Sequence, residues 1–376
     1  MKILIAGGGT GGHIYPGIAV AEELRRLRPD AQFLFVGSDR GLEGRVVPEA
    51  GFALETLPAR GVVRTRWWKL PAAAWGNFVA FVRALGLVKK FHPDVVLCTG
   101  GYVSMPVGLA AWWSGKPLLL QEQNSIPGLT NRILSAFARE VHVAFTEARP
   151  YLVKKDTLRL SGNPVRRVIL SGDRRSARQR FGLDEQAPTV FVFGGSRGAK
   201  RITEAALQAM RDLRTSLDAQ WILQTGKEDF NAAKVGAEAA GARAVIMPYI
   251  IQIHEAYAAA DLVVCRAGAM TLAEIAAVGV PSILIPFPYS AYDHQVKNAE
   301  SLAERGAAVL IQDEDLTGER LAQEVLRLLR DREQLVRTSA HARTFARPDA
   351  AERIARSLIT WAEEPARAAR QRAAES

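Results

Sequence analysis

The sequence predicts an α/β protein with two doubly wound parallel-sheet domains of the Rossmann-like type. Short apolar runs such as KILIA and VFVF alternate with longer amphipathic stretches, which is typical of strands buried under helices on both faces of a parallel sheet. A strand that runs through a glycine-rich turn into a helix occurs at the start of the chain and again near residue 194. Because 376 residues exceed what one hydrophobic core usually fills, we expect each half to form its own domain.

The first half begins with a predicted strand over residues 2–6, which leads into the glycine-rich stretch GGGTGGHIYP. A helix is expected from about Tyr15 to Leu27, with Pro16 in its first turn, where a proline is tolerated. Further strands are predicted in the segments QFLFVGS, PDVVLCTGGY and KPLLLQEQN. Their continuous apolar character fits a parallel sheet that is covered on both faces.

The pattern pauses near residues 162–164 and restarts with PTVFVFGGSRGAK. Later strands are predicted in WILQTG, AVIMPY, DLVVCRAG and PSILIPFP. We therefore predict an N-terminal domain over 1–163 and a C-terminal domain over 164–340. A final amphipathic helix over 341–365, with Ile354, Leu358 and Trp361 on one face, is expected to pack back on the first domain, ahead of a solvated tail at 366–376.

The composition fits a globular protein, with 48% apolar and 23% charged residues. The apolar start ends in glycine too early for a secretory signal, and no stretch reaches the roughly 18 apolar residues of a membrane-spanning helix. Cys98 and Cys265 each end an apolar run. We expect two buried thiols in a reducing cytoplasm rather than a disulfide or a metal pair.

The formal charge of +10 favours an anionic partner. The chain lacks zinc-finger spacing and RNA-recognition patterns, so nucleic acid is not expected. Between Thr56 and Pro93 there is no Asp or Glu, but there are seven Lys or Arg residues. The same window contains the aromatic residues Trp67, Trp68, Trp75, Phe78 and Phe81. This mixture suits an anionic lipid surface.

A helix through that window places Trp75, Phe78, Val82 and Leu85 at helical spacing. Two interpretations stay open for it. The helix is either an ordinary buried one, or it lies in the membrane interface with its aromatic side chains among the lipids.

The first glycine loop formally satisfies the dinucleotide pattern Gly7-x-Gly9-x-x-Gly12, with Asp39 after the second strand as the ribose carboxylate. That interpretation explains neither His13 nor the second glycine loop. Glycine amides ahead of a helix also bind phosphate. With an ordinary pKa near 6.5, His13 is the best general-base candidate, although it could simply cap the loop. Glu122, at a strand end, is a second carboxylate candidate.

The second half offers two further turns. GGSRG is not a Walker A loop, and it is either a phosphate-binding loop or a tight strand-to-helix turn. In RAGAMTLAE, a small-residue turn opens a helix whose first amides would favour a diphosphate. Glu274 in this helix could accept hydrogen bonds from a ribose diol, or it could only complement the helix dipole.

Metal ligands are not expected. Asp313-Glu314-Asp315 formally makes a DxD pattern, but we interpret it as a loop and helix cap. No cluster of His, Cys and Asp has metal-ligand spacing. A departing diphosphate would then be stabilised by helix dipoles and backbone amides in place of Mg²⁺. His254 and His294 are expected at the surface or behind the site.

Six stretches together resemble the bacterial peptidoglycan glycosyltransferases that add N-acetylglucosamine to lipid I. In chain order they are GGGTGGHIYPGIAVAEEL, GGYVSMPVGLAAW, QEQNSIPGLTNRIL, SGNPVR, GGSRGA and CRAGAMTLAEIAAVGVPSILIPFP, and they extend over nearly the whole chain. The resemblance implies a GT-B fold, in which two Rossmann-like domains face each other across a cleft. It further implies an inverting transfer, without metal or cofactor, from UDP-N-acetylglucosamine to the C4 hydroxyl of the muramoyl sugar of undecaprenyl-pyrophosphoryl-N-acetylmuramoyl-pentapeptide (lipid I), which forms lipid II.

The resemblance also implies roles for individual residues. His13 would be the general base, with Glu122 as the secondary candidate. The groups that would bind the donor or line the cleft are Thr10, Gly11, Gly12, Asn124, Arg166, Ser196, Ile250, Ala269, Met270, Thr271, Leu272, Ala273, Glu274 and Gln295. The groups that would bind the acceptor diphosphate are Gly9, Gly100, Gly101 and Tyr102. The family often has two glutamines where His294 and Gln295 stand. The enzyme would be peripheral on the cytoplasmic side of the inner membrane, attached to anionic lipid through the basic and aromatic region 60–90.

Three alternatives make different demands. A UDP-N-acetylglucosamine 2-epimerase of the same two-domain fold would consume the donor without an acceptor. An NAD-dependent dehydrogenase would bind nicotinamide and would not be protected against heat by UDP. A non-catalytic membrane scaffold would bind lipid without releasing UDP.

Overall fold

The computed structural model describes residues 1–39, 41–59, 70–195, 198–290 and 293–374, without the side chains of 70–74 and 365–374. It divides into two compact units. The first unit contains Met1–Arg166 and Arg347–Ser376, and the second unit contains Arg167–Ala346. Each unit has its own parallel sheet covered by helices, which confirms the predicted class of two doubly wound α/β domains.

The first unit contains a seven-stranded parallel sheet in the order β3-β2-β1-β4-β5-β6-β7. Its strands are β1 (Lys2–Gly7), β2 (Gln32–Ser38), β3 (Ala53–Leu57), β4 (Val95–Gly100), β5 (Leu118–Glu122), β6 (Glu140–Val143) and β7 (Leu158–Leu160). The strand order reverses beside β1, which lies between β2 and β4. At such a switch point the loops at the carboxyl ends of the strands diverge and leave a crevice for ligands.

Helices cover both faces of this sheet. They are α1 (Gly11–Leu27), α2 (Glu43–Glu49), α3 (Leu70–Phe91), α4 (Ser104–Trp113) and α5 (Leu129–Leu134). Alternate residues of β1 enter opposite layers of the core. Leu4 and Ala6 pack with α3 and α4, whereas Ile3 and Ile5 pack with α1. The crevice is therefore built on a strand with no exposed face.

Helix α1 begins at Gly11, so the predicted start at Tyr15 was wrong. The N–H groups of His13 and Ile14 both donate to the carbonyl of Thr10, at 3.1 and 3.3 Å, and close the first turn. Pro16 consequently lies in the second turn, where it lacks the N–H that would bond to the carbonyl of Gly12. Gly12 is exposed, so water can satisfy that carbonyl. His13 is the third residue of a helix rather than part of a loop.

The second unit repeats the arrangement with a six-stranded parallel sheet in the order β10-β9-β8-β11-β12-β13. Its strands are β8 (Thr189–Phe193), β9 (Gln220–Gln224), β10 (Arg243–Met247), β11 (Leu262–Cys265), β12 (Ser282–Leu284) and β13 (Val309–Leu310). Its helices are α6 (Arg174–Phe181), α7 (Lys200–Leu213), α8 (Phe230–Ala239), α9 (Ile253–Ala259), α10 (Ala269–Val278), α11 (His294–Ala303), α12 (Gly318–Arg330) and α13 (Arg332–Phe345). The switch point of this sheet lies beside β8.

The last helix, α14 (Ala350–Ala374), packs on the first unit. Ile354 and Leu358 are fully buried in the core layer that contains α1, and Trp361 packs at its edge. The guanidinium of Arg139 lies 5.5 Å from the centroid of the Trp361 ring. The side chains of the predicted solvated tail, 366–376, lie outside the described residues.

Both cysteines are free and buried, as predicted. Burial raises the pKa of the Cys98 thiol to about 12, so it stays protonated and unreactive. In the part of the chain that the structure describes, no helix has both the length and the apolar character that crossing a bilayer requires.

Candidate functional site

The crevice of the first unit is formed where β1 and β4 end. The pairing of these strands shifts between Ala6 and Gly7, and Thr99 fills the extra position. Thr99 Oγ1 donates to the carbonyl of His13 at 2.6 Å, so the bulge anchors the first turn of α1. A Cβ at Gly7 would lie 2.0 Å from Thr99 Oγ1, which explains why the chain has glycine there.

The ring of His13 is oriented by two acceptors. Its Nδ1 lies 3.2 Å from the carbonyl oxygen of Thr99 and 3.1 Å from Oε1 of Gln123. The amide group of Gln123 donates from Nε2 to the same Thr99 carbonyl at 2.7 Å, so its oxygen must face the imidazole. Because both neighbours of Nδ1 are acceptors, Nδ1 carries the proton and the lone pair of neutral His13 is on Nε2.

The charge state of His13 suits proton transfer. Burial lowers the pKa of His13 below its ordinary value of 6.5, and the hydrogen bonds with Gln123 and Thr99 and the charge of Glu43 oppose part of this effect. The imidazole is therefore neutral near pH 7. A neutral, oriented imidazole with a free Nε2 lone pair can act as a general base.

Glu122, the secondary candidate, is used within its own loop. One carboxylate oxygen accepts the N–H of Asn124 at 2.9 Å, and the other accepts Nδ2 of Asn131 at 2.8 Å and the N–H of Gly128 at 3.3 Å. Burial raises the pKa of Glu122, and these hydrogen bonds offset part of the rise. A buried carboxylate with these partners shapes the loop between β5 and α5, in which the half-buried Asn124 stands.

Some backbone N–H groups of the glycine loop after β1 already have acceptors within the protein. Thr10 caps α1 without a side-chain hydrogen bond, and the N–H groups of Gly11 and Gly12 find no acceptor among the described residues. These two amides can therefore receive an anion. The N–H of Gly9 instead donates to the carboxylate of Glu43, at 3.2 and 3.3 Å from its two oxygens. The contact predicted between Gly9 and a diphosphate cannot use this amide while that bond persists.

The neighbouring turn after β4 has two glycines with positive φ, Gly100 at 105° and Gly101 at 81°. The N–H of Gly100 donates to Ser104 Oγ at 3.1 Å. A Cβ at Gly101 would lie 2.3 Å from the carbonyl of Gly8, so the two glycine loops touch. Tyr102 follows with an exposed side chain. The residues predicted for the acceptor diphosphate are thus close together. The N–H groups of Gly9 and Gly100, however, are already bonded within the protein.

Arg166 stands at the end of the first unit. Its guanidinium carbon lies 4.7 Å from the centroid of the Tyr15 ring in α1. Its Nε is buried and has no hydrogen-bond partner in the described structure. Arg166 therefore has an unused donor next to the helix that carries His13.

In the second unit, the turn after β11 opens α10 without a side-chain cap. The first intrahelical bond joins Leu272 N–H to the carbonyl of Gly268 at 3.0 Å, and the N–H groups of Met270 and Thr271 have no acceptor in the described ranges. Ala269, Met270 and Leu272 bury their side chains, so only their backbone can meet a ligand. Along the predicted segment, Thr271, Ala273 and Glu274 remain half-buried.

Glu274 is held by a residue that sequence reasoning missed. The hydroxyl of Tyr257, in α9, donates to Glu274 Oε2 at 3.0 Å. The ring of Tyr257 is buried edge-on against Phe191 and Phe193, with centroids 5.7 and 6.0 Å apart. The sequence did contain a signal for this contact, since Tyr257 is an aromatic residue in an alanine-rich helix. A buried tyrosine hydroxyl needs a hydrogen-bond partner.

Gln224, at the end of β9, was also missed. Its Nε2 donates to the carbonyl of Gly195 at 3.0 Å, and its Oε1 accepts the N–H of Ile250 at 2.8 Å. The backbone contact predicted for Ile250 is therefore restricted to its carbonyl oxygen. Ser196, the predicted contact in the GGSRG loop, lies outside the described residues.

Gln295 is the second residue of α11. Its Oε1 accepts the N–H of Phe287 at 3.0 Å, and among the described residues its two amide N–H groups have no acceptor, so they can donate to a ligand. Arg266 holds the loop that ends in Phe287. Arg266 donates to the carbonyls of Ile285 and Pro286, at 3.3 and 2.9 Å.

Asp313 lies in the loop before α12, as predicted, but it is an ion-pair residue rather than part of the helix cap. It accepts a hydrogen bond from Arg266 at 2.5 Å and lies 3.4 Å from Arg201. Thr317 caps α12 instead, with Oγ1 accepting the N–H of Arg320 at 3.0 Å. Spacing could not separate the two roles, because Arg266 is distant in sequence. In the described ranges, no three His, Cys, Asp or Glu side chains are grouped as metal ligands.

Comparison with known proteins shows the family. Residues 3–143 match the glycosyltransferase family 28 N-terminal domain, and residues 189–354 match the C-terminal domain of that family. A relative from Chlorobium phaeobacteroides is 44% identical over 366 residues, covering 96% of this chain and 100% of its own. It is named UDP-N-acetylglucosamine--N-acetylmuramyl-(pentapeptide) pyrophosphoryl-undecaprenol N-acetylglucosamine transferase.

Solved structures agree with this result. Acinetobacter baumannii MurG is 29% identical, with a TM-score of 0.75 and coverage of 96% of this chain and 99% of that one, which confirms the predicted GT-B class. A UDP-GlcNAc 2-epimerase from Neisseria meningitidis has a TM-score of 0.70, with 96% and 100% coverage, but its 12% identity shows the fold alone. The chain therefore belongs to the UDP-N-acetylglucosamine--N-acetylmuramyl-(pentapeptide) pyrophosphoryl-undecaprenol N-acetylglucosamine transferases of glycosyltransferase family 28.

Proposed function

We propose that this enzyme transfers N-acetylglucosamine from UDP-N-acetylglucosamine to the C4 hydroxyl of the muramoyl sugar of lipid I, with inversion, and so forms lipid II for peptidoglycan. The observation that carries the proposal is the imidazole of His13, which is hydrogen-bonded at Nδ1 and whose Nε2 has no partner among the described residues. Membership in the transferase family supplies the two substrates.

His13 acts as the general base. Its Nε2 accepts the proton of the C4 hydroxyl while the hydroxyl oxygen attacks C1 of the donor sugar. The bond between C1 and the diphosphate oxygen breaks, and UDP leaves with the electron pair. Attack on the face opposite the leaving group inverts C1. His13 then returns the proton to solvent.

The second unit binds the donor. The free N–H groups of Met270 and Thr271, at the positive end of α10, stabilise the charge that develops on UDP. Glu274 accepts hydrogen bonds from the ribose hydroxyls, and the carbonyl of Ile250 accepts one from uracil. The amide of Gln295 donates to the sugar hydroxyls. We assign Ser196, with Ala269, Leu272 and Ala273, to the surroundings of the diphosphate and ribose.

The first unit binds the acceptor. The resemblance implies that Gly11, Gly12 and Arg166 bind the donor or line the cleft. We assign them instead to the acceptor's diphosphate, since the free amides of Gly11 and Gly12 and the Nε of Arg166, which has no partner among the described residues, suit an anion. We also assign to the acceptor Thr10 in the loop after β1, Gly101 and Tyr102 in the loop after β4, and Asn124 in the loop after β5. Glu122 is not assigned the role of base, because its carboxylate is buried and hydrogen-bonded within its loop.

The dinucleotide alternative loses support at the same loop. A pyrophosphate on GxGxxG needs the glycine amides, but Gly9 donates its N–H to Glu43. Asp39, proposed for the ribose, is exposed after β2, which does not distinguish the two alternatives. The transferase therefore remains the function that the described residues support best.

We also propose that α3 lies against the anionic cytoplasmic face of the inner membrane. Trp75 is 68% exposed and Phe78 is 56% exposed, whereas Ala80 and Ala84 on the other face are buried. Arg83, Lys89 and Lys90 are exposed on the same helix. Exposed aromatic side chains beside lysine and arginine favour a lipid interface over the fully buried helix. The part of this region at 60–69 lies outside the described residues.

The test runs two assays in parallel, UDP release and disaccharide formation, with and without a lipid I analogue. A transferase forms the disaccharide only with the acceptor, and UDP release accompanies it. Conversion of the donor in the acceptor-free arm, without UDP release, would indicate the epimerase. A third arm contains EDTA. We expect unchanged turnover there, and loss of turnover that Mg²⁺ restores would overturn the metal-independent step.

A further inference from the structure

The strongest feature outside the proposed chemistry is the carboxylate of Glu43, the first residue of α2. Its side chain is 0% exposed. Among the described residues, no Lys, Arg or His side chain lies within ion-pair distance of it. An ionised carboxylate in such a place is costly unless other donors satisfy it.

The donors that satisfy Glu43 come from two loops. Its Oε1 accepts the N–H of Ser38 at 2.7 Å and the hydroxyl of Ser38 at 2.6 Å. The N–H of Gly9 lies 3.2 Å from Oε1 and 3.3 Å from Oε2. The carboxylate therefore ties the end of β2 to the glycine loop that follows β1.

Three glycines leave room for this side chain. A Cβ at Gly8 or at Gly37 would lie 2.4 Å from a Glu43 atom, and one at Gly41 would lie 1.8 Å away. Gly8 also touches Gly101, whose Cβ would lie 2.3 Å from the Gly8 carbonyl. The Glu43 side chain therefore lies against the glycine loop after β1, and that loop touches the turn after β4.

We propose that Glu43 is a positioning residue, whose buried carboxylate holds the Gly8–Gly9 backbone and thereby the first turn of α1 that carries His13. It touches no substrate. Part of the glycine pattern in GGGTGGH thus serves a carboxylate of the protein itself rather than a phosphate of the ligand. The consequence for acceptor binding rests on the proposed function.

The experiment compares Glu43→Gln with the wild type, and uses Glu49→Gln, an exposed residue of the same helix, as the matched control. Glutamine keeps one acceptor oxygen but removes the charge and the second oxygen. We expect hydrogen exchange at residues 8–13 to rise in Glu43→Gln and to stay unchanged in Glu49→Gln. This readout needs no turnover. Unchanged exchange in Glu43→Gln would overturn the inference.

Kinetics separate the inference from the proposed function. Loss of a hydrogen bond to a charged group corresponds to a decrease of about 10- to 100-fold, which we expect in kcat/KM for the lipid I analogue. The affinity for UDP should not change, because the donor residues are in the second unit. If the wild-type enzyme forms no disaccharide, the proposed function is wrong. The hydrogen-exchange result would still test the role of Glu43.

Ser38→Ala provides a second variant if Glu43→Gln does not fold. It removes the hydroxyl donor at 2.6 Å and leaves the carboxylate in place. The same exchange increase at residues 8–13, in smaller amount, is expected. Exchange at these residues equal to that of the wild type would contradict the proposed tether.

Discussion

At the scale of single residues, the chemistry depends on polar side chains that are fixed by partners far away in sequence. His13 obtains its tautomer from Thr99 and Gln123, and Glu274 is held by Tyr257. These contacts orient the imidazole of His13 and the carboxylate of Glu274. Small changes in these partners should therefore be visible in kinetics without loss of the fold.

The pH dependence of kcat/KM should report His13. Protonation removes the base, so the rate falls as the pH decreases through the pKa of His13, which burial places below 6.5. Gln123→Met removes a hydrogen bond that raises this pKa, so the acid limb should move to lower pH. Orientation of the ring is also lost, and kcat should fall about tenfold. Gln32→Met, on the exposed end of β2, is the control. If the acid limb of the pH profile does not move in Gln123→Met, the assignment of that limb to His13 is contradicted.

Tyr257→Phe should weaken donor binding and leave the acceptor unaffected. The variant removes one hydroxyl and keeps the ring packed against Phe191 and Phe193. Because the lost bond reaches a carboxylate, KM for UDP-N-acetylglucosamine should rise about tenfold. Titration with UDP and with its 2′-deoxy analogue measures the coupling to the ribose, and Tyr151→Phe is the control. An equal loss of affinity for UDP and for the 2′-deoxy analogue would show that Tyr257 does not act through the ribose contact.

At the scale of elements, α3 and α14 have opposite relations to solvent. Helix α3 leaves Trp75 and Phe78 exposed, whereas α14 buries Ile354 and Leu358 completely. The same amphipathic pattern in the sequence predicts a helix in both places. Which apolar face is covered depends on the elements that pack against it.

Replacing the exposed aromatic residues of α3 should release the enzyme from vesicles. Trp75→Glu with Phe78→Glu should reduce binding to vesicles that contain phosphatidylglycerol by at least about tenfold, since each apolar side chain contributes about 1.5–3 kcal/mol when buried. Val235→Glu, at an exposed site of the second unit, is the control. Flotation measures the bound fraction. Equal binding of the double variant and the wild type would exclude α3 as the lipid contact.

Shortening the side chain of Leu358 in α14 should destabilise the first unit. Leu358 is fully buried, so Leu358→Ala leaves a cavity that costs about 2–5 kcal/mol. Arg356→Ala, an exposed position of the same helix, should change the free energy of unfolding by less than about 0.5 kcal/mol. Urea denaturation followed by tryptophan fluorescence compares them. A Leu358→Ala midpoint equal to that of Arg356→Ala would mean that α14 adds little to the core.

At the scale of the whole molecule, the two units share one topology and carry different chemistry. Each sheet reverses its strand order beside its first strand, and each crevice is bordered by a glycine-rich turn and a helix without a side-chain cap. The first unit adds an imidazole at its crevice, and the second adds a carboxylate held by a tyrosine. Donor binding and proton transfer should therefore be separable by mutation.

His13→Gln and Glu274→Gln should show this separation. His13→Gln should abolish transfer and bind UDP with the wild-type affinity, since no donor contact is assigned to the first unit's base. Glu274→Gln should weaken UDP binding by about 10- to 100-fold, because it removes a charged acceptor. Calorimetric titration with UDP compares the variants, with Glu228→Gln as the control. Loss of UDP binding in His13→Gln would refute the division.

Local patterns were enough to predict strands β1, β2, β4, β5 and β8 to β12, the glycine turns, the buried cysteines and the family. They did not predict β3, β6, β7 and β13. Apolar runs and helical spacing record which side of an element is buried, and this information is contained in neighbouring residues. The partners Glu43, Gln123, Gln224, Tyr257 and Asp313, and the start of α1 at Gly11, were decided only in the tertiary structure. Strand order brings these groups together from distant positions in the chain, and no local period records which polar side chains will meet.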